Sequence, residues 1–304
     1  HYETLRSQKG QLSSWREAGV DIRFVVYDLL PVQRPEFFSA AHPAAFRDWL
    51  HQLPEFDGVI CDSRAVAEEF KAWFSPATMP LPPHFKVDWF HLGADLRNSK
   101  PTSGIPDGGS ALLDLLGRST GFLMVGTVEP RKGHAQALAA FEALWARGIE
   151  VPLVIVGKQS IKVDHIALKL GEHPQAGRLL HWLESVSDEF LERLYGASSC
   201  LLAASEGEGF GLPLIEAAQH RLPILARDIP VFREVAGAHA TYFQGLAPTV
   251  LARAVETWLA LHAEGKHPSP DDLPWQTWAQ SADQLLERLG IDPGQRTVGE
   301  SKGG

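Results

Sequence analysis

The sequence predicts an α/β protein in two parts, each a parallel sheet covered by helices. Three observations carry this reading. Short apolar runs such as GFLMVGT, VPLVIVG and SCLLAAS recur along the chain, bounded by Gly, Pro or Ser, and are too short to be helices. Stretches of helical spacing or loop separate them, and such alternation with short loops is the pattern of parallel strands covered on both faces. Finally, NSKPTSGIPDGGS carries two prolines and three glycines, which is loop chemistry and places a boundary between two domains. A chain of 304 residues is long enough to bury a core in each.

Taken in order, YETLRSQKGQLSSWREAG reads as a helix and DIRFVVYDLL as a strand closed by Pro31. A helix over 44–52 and a strand in DGVICDS follow. Ser63 is placed to cap the helix RAVAEEFKAWF, because its hydroxyl accepts from amides of the first turn. FKVDWFHLG is the next strand. These strands are fewer than a full nucleotide-binding-type domain requires, and the first residue is His1 rather than Met. The first domain, 1–97, is therefore expected to be incomplete, and the chain to be one part of a longer protein. Residues 98–120 are read as linker. In 121–290, GFLMVGT leads into a helix over 134–147, with Leu138, Phe141, Leu144 and Trp145 on one face and Gly148 placed to end it. VPLVIVG, RLLHWL, SCLLAAS, LPILA and ATYF supply further strands, and helices over 246–263 and 275–289 close the domain. The tail 291–304, rich in Gly and polar residues, is expected to be disordered.

The net charge of −9, with Lys and Arg spread along the chain, argues against a nucleic-acid partner, which favours a concentrated basic face. Cys61 and Cys200 lie in apolar runs and read as buried thiols rather than a disulfide or metal site. A reducing, cytoplasmic compartment is the expectation. No apolar run approaches the ~18 residues of a bilayer span, so any membrane contact is expected to be peripheral, at the inner face.

Sheets of this kind bind ligands outside the carboxyl ends of their strands, and two loops at such ends stand out. Val128-Glu129-Pro130-Arg131-Lys132-Gly133 follows GFLMVGT. Glu206-Gly207-Glu208-Gly209-Phe210-Gly211-Leu212-Pro213-Leu214-Ile215-Glu216 follows SCLLAAS. The glycines of the second loop permit close backbone approach to a ligand. Pro213 fits the first turn of a helix, whose free amides and positive dipole end suit an anion. Glu208 lies before those amides and Glu216 after them, placed to bind hydroxyls on either side of a diphosphate. Taken singly, each part has a plainer explanation: an acidic residue in a first helical turn, a solvated Arg-Lys pair, a lone glycine pattern. A dehydrogenase fingerprint is rejected, because the glycines do not open the first strand–helix unit.

In combination, VGTVEPRKGH and EGEGFGLPLIEA resemble the two signature regions of glycosyltransferase family 4, whose members share the GT-B fold of two Rossmann-like domains. The second region is that family's pair of glutamates, Glu208 and Glu216, around a Gly-Phe-Gly interior. VSDEFLERLYGAS resembles the segment preceding it, and FVVYDLLPVQRPEFF, GVICDSRAVAEEF and HLGADL resemble the acceptor-side domain of bacterial mannosyltransferase-like members. The resemblance implies a retaining, metal-independent hexosyltransferase. Arg131 and Lys132 would neutralise the donor diphosphate, and Glu208 would meet the transferred sugar. Glu216 would hold the ribose, and the amides around Gly209, Phe210, Gly211 and Leu212 would face the phosphates. Thr127, just before the first loop, is counted among the donor contacts, and Ser185, within 182–187, among those to the base. Tyr27-Asp28 stands where many relatives have His-Asp; a Tyr supplies a hydrogen bond there but no titrating imidazole. The implied donor is a nucleotide sugar, GDP-mannose first and UDP- or TDP-sugars as alternatives, with a saccharide or lipid-linked saccharide as acceptor. The rival readings are a GT-B epimerase or hydrolase, a non-catalytic nucleotide-sugar-binding module, and a structural α/β interaction domain.

Overall fold

The computed structural model describes residues 2–75, 79–95, 101–160 and 164–292. By its internal contacts the chain divides into two compact units. Unit 1 comprises His1–Gln33, Ala40–Asp95 and Trp275–Gly304; unit 2 comprises Arg34–Ser39 and Leu96–Pro274.

In unit 1, strands β1 (Arg23–Val26), β2 (Gly58–Cys61) and β3 (Lys86–Trp89) form a parallel sheet in the order β1-β2-β3. Helices Tyr2–Glu17, Ala41–Gln52 and Arg64–Trp73 alternate with them. The Val66 amide donates to Ser63 Oγ at 3.2 Å, which starts the Arg64–Trp73 helix as the sequence predicts. Its Val66, Ala67 and Phe70 are fully buried against Val59 and Cys61 of β2. Burial pushes the Cys61 and Cys200 thiols well above their ordinary value, so both are inert in the fold.

Unit 2 holds six parallel strands: β4 (Phe122–Val125), β5 (Leu153–Val156), β6 (Leu180–Leu183), β7 (Cys200–Ala203), β8 (Ile224–Arg227) and β9 (Ala240–Phe243). Their order is β6-β5-β4-β7-β8-β9. The chain thus steps outward from β4 to one edge, returns to β7 beside β4, and steps outward the other way. On one face, helix His134–Trp145 packs against helix Pro248–Ala263. Phe122 of β4 meets Phe141 and Trp258 edge-on, with centroids 5.4 and 5.1 Å apart. All three rings are fully buried, and edge-on pairs add ~0.5–1.5 kcal/mol to the burial itself.

Two boundaries differ from the sequence expectation. The stretch 98–120 is not all linker: Gly109–Leu116 is a helix with Leu112 and Leu116 buried. Ahead of it, Thr102 and Gly104 are pinned to the start of helix Asp188–Ala197. The Thr102 amide and hydroxyl both donate to Asp188 at 2.8 Å, and the Gly104 amide donates to Glu189 at 2.9 Å. Residues 98–100 of that stretch, and 293–304 of the expected tail, lie outside the described residues. The second difference is the last helix, Trp278–Leu289, which groups with unit 1 rather than with 121–290. Thr277 and Gln280 cap it reciprocally. The Ser281 hydroxyl donates to the His91 carbonyl at 2.7 Å, and the His91 amide donates to Gln284 at 2.8 Å. Gly93 leaves room for this return, since a Cβ there would stand 2.3 Å from the Trp278 amide nitrogen.

Candidate functional site

β4 and β7 are hydrogen-bonded neighbours, and the strand order reverses between them. Open parallel sheets bind ligands at such a reversal, outside the carboxyl ends of the strands. The two loops singled out in the sequence leave from β4 and β7.

Locally, Gly126 has φ 138° and turns the chain out of β4. Pro130–Lys132 then forms one 3₁₀ turn, and Gly133 at φ 75° ends it and starts helix His134–Trp145. No side chain fits at Gly133, where a Cβ would stand 2.4 Å from the Ala204 carbonyl oxygen. The loops are tied directly, the Glu206 amide donating to the Arg131 carbonyl at 2.7 Å. In the second loop Gly211 has φ 104° and caps helix Leu212–Gln219. The helix thus begins at Leu212, one residue before Pro213, which occupies its first turn as expected.

The side chains converge in this frame. Lys132 Nζ and Arg131 Nη1 each lie 2.6 Å from a separate oxygen of Glu208. Arg131 also pairs with Glu129 at 2.7 Å. Burial raises the Glu208 carboxyl, but Lys132 and Arg131 outweigh it and hold the group below the usual carboxylate range. A cleft between the loops is lined by residues that include Val125, Lys132, His134, Ser205, Glu208 and Gly211. Phe210 is buried, while Gly209 and Leu212 are half-buried. Glu216 lies further along the helix and accepts from the Tyr195 hydroxyl at 2.6 Å. Thr127 is exposed beside β4, and Ser185 is exposed beyond the end of β6, at the sheet edge. Tyr27, 61% exposed, and Asp28 follow β1 in unit 1. The Leu30 amide donates to Asp28 at 3.0 Å.

Three residues of this region escaped the sequence reading. Arg227, at the end of β8, is 4% exposed. Its guanidinium donates to the carbonyls of Ala204, Ser205 and Gly245 and to the Gln136 side chain, and lies 4.9 Å over the Phe243 ring. It therefore holds the chain where it leaves β7. The only sequence signal was a charged residue closing an apolar run. Tyr195 sits inside VSDEFLERLYGAS, whose spacing gives no hint of its partner. His134 follows the Arg-Lys-Gly run directly and is 3% exposed, its ring bonded to the Glu129 backbone. Nδ1 has no partner among the described residues.

Burial pushes the His134 imidazole down to about 4, with Lys132 nearby adding to the fall and the Glu129 bond opposing it. An unfolded chain takes up this proton near pH 6.5, and the folded chain only near 4. Stability is therefore fully present above about 6.5 and lost as the pH falls toward 4, by up to ~3 kcal/mol from this group. His134→Asn is expected to flatten the decline in urea-unfolding free energy between those values. An unchanged slope would remove His134 from the account.

Two α/β units with parallel sheets, one carrying paired loops where its strand order reverses, define the GT-B class of fold. Solved proteins of that class resemble the chain. Sucrose-phosphate synthase from Thermosynechococcus elongatus matches 91% of this chain and 70% of its own at a TM-score of 0.68 and 19% identity. HepE from Anabaena, in complex with UDP and glucose, matches 88% of this chain and 71% of its own at 0.63 and 21%. Within that class, the chain belongs to the family of glycosyl transferases group 1, which it matches over residues 117–268. It is also similar to the serotype-specific mannosyltransferase WbdA of Escherichia coli. The two are 51% identical over 284 residues, 92% of this chain and 35% of the relative. The chain thus spans about a third of the length of that relative. Among the described residues no helix is long and apolar enough to cross a membrane.

Proposed function

We propose that the chain is the larger part of a retaining hexosyltransferase, including its donor-binding half, that moves mannose from GDP-mannose to a saccharide or lipid-linked saccharide in the cytoplasm. The observation that carries this reading is the placement of Arg131, Lys132 and Glu208 together beside the Leu212–Gln219 helix start, where the strand order reverses. Likeness to a mannosyltransferase supports the sugar, and a related fold in complex with UDP and glucose supports a nucleotide-sugar donor.

In the reaction the bond from the anomeric carbon to the donor phosphate oxygen breaks, and a bond to the acceptor oxygen forms on the same face. The acceptor proton passes to the leaving diphosphate. Negative charge grows on that diphosphate, so fixed cations and oriented amides aimed at it lower the barrier. Arg131, Lys132 and the amides from Gly209 to Leu212 supply this without a metal. Glu208 positions the sugar and the two cations, Glu216 accepts from the ribose, and Thr127 and Ser185 contact the donor.

A calorimetric screen of GDP, UDP and TDP and their sugars tests the donor, with GDP and GDP-mannose expected to bind best. Nucleotide release from GDP-mannose is expected only when a saccharide acceptor is present. Release without acceptor indicates a hydrolase, and binding without any turnover indicates a binding module.

A further inference from the structure

Glu216 lies in the second turn of helix Leu212–Gln219 and is half-buried. The hydroxyl that donates to its Oε2 belongs to Tyr195 of helix Asp188–Ala197, a residue 2% exposed. The Tyr195 ring lies flat on the His220 imidazole, with centroids 5.2 Å apart and planes 3° apart. His220 is the residue that closes the helix bearing Glu216. The phenol is thus fixed twice, by its ring against the end of that helix and by its hydroxyl against the carboxylate. Burial, with the adjacent Glu216 charge, raises the tyrosine well above its ordinary value. The hydroxyl therefore remains a donor throughout the working pH range.

A glutamate side chain on a helix loses up to ~1.5–2 kcal/mol of rotamer freedom when it is ordered. A carboxylate whose Oε2 is already tied to a buried hydroxyl has lost most of that freedom before any ligand arrives. Its Oε1 and remaining lone pairs can only accept, which matches a pair of neighbouring hydroxyls and rejects a phosphate. We propose that Tyr195 is a positioning residue, holding Glu216 in the orientation in which it accepts from the ribose hydroxyls of the donor nucleotide. This rests on the reading of Glu216 as the ribose contact.

The test uses whichever of GDP and UDP binds the unaltered chain, together with its 2′,3′-dideoxy counterpart. Tyr195→Phe keeps the ring and its stacking and removes only the hydroxyl. It is expected to weaken the ribonucleotide about 10-fold and the dideoxynucleotide less than about 2-fold, the difference being the coupling that a merely structural role lacks. Glu216→Gln is expected to discriminate the same way. His220→Ala, which removes the stacking partner and keeps the hydroxyl, is expected to give a smaller ribose-selective loss of about 3-fold. In turnover the Tyr195→Phe effect is expected in KM for the donor, with kcat nearly unchanged, as for an interaction made equally in ground and transition states. Should Glu216→Gln discriminate while Tyr195→Phe weakens both nucleotides equally or neither, the positioning role is overturned and the ribose reading stands. Should Glu216→Gln fail to discriminate, the ribose reading falls and this assignment with it.

Discussion

Lys132→Ala is expected to reduce sugar transfer by at least about 10²-fold, the scale of losing one preorganised group at a developing charge, and Glu216→Gln is expected to reduce kcat/KM for the donor by about as much, chiefly through KM. For Lys132 the reason is electrostatic. Its ammonium lies over Gly126, where a Cβ would stand 3.5 Å from Nζ, and it shares Glu208 with Arg131. Removing it takes away one of two cations facing the proposed leaving diphosphate and leaves Glu208 held by Arg131 and by the Ser205 side chain. Gln is preferred to Ala at Glu216, because Ala would leave the buried Tyr195 hydroxyl without its acceptor, a loss of ~1–3 kcal/mol unrelated to catalysis. Initial rates with saturating acceptor measure the effect, and unchanged thermal unfolding separates it from instability. If both variants transfer at the unaltered rate, the site lies elsewhere.

The largest effect on stability is expected from Arg227→Met. The substitution preserves length and apolar contact but strips a donor from the carbonyls of Ala204, Ser205 and Gly245 and from the Gln136 side chain. Gly245 retains a donor in Gln136 Nε2, so the penalty falls on about three groups at ~1–3 kcal/mol each. A loss of ~3–5 kcal/mol in denaturant unfolding is expected. Nucleotide affinity is expected to fall as well, because Ala204 and Ser205 begin the loop that carries Glu208. Lysine is not expected to rescue, since its point charge lacks the planar fork that reaches several carbonyls at once. A loss under 1 kcal/mol would show that the loop holds its path without the guanidinium.

Much of this arrangement was legible in the chain itself. Runs such as FLMV, LVIV and CLLA became strands because they are short, apolar and bounded by turn residues. Ser63 announced a helix start that its hydroxyl does make. The Arg-Lys-Gly and Gly-Phe-Gly runs marked two strand-end loops, and the strand order seats both at one reversal. The linker reading of 98–120 failed where glycine-rich composition masked ALLDLL, whose buried leucines fold onto unit 2. The last helix was found as a helix but put in the wrong unit, because an amphipathic stripe announces a need for burial and not the surface that meets it.

Local sequence determined what depends on neighbouring residues alone: element type, turn positions, and the loops whose glycines free the backbone near a charge. Contacts between residues far apart in the chain were decided only when the sheet closed. They include the pairing of Lys132 with Glu208, the tether from Tyr195 to Glu216, and the hold of Arg227 on the loop after β7. The physical reason is that a side chain's type fixes what it can bond, whereas strand order fixes which partner stands within 3 Å of it.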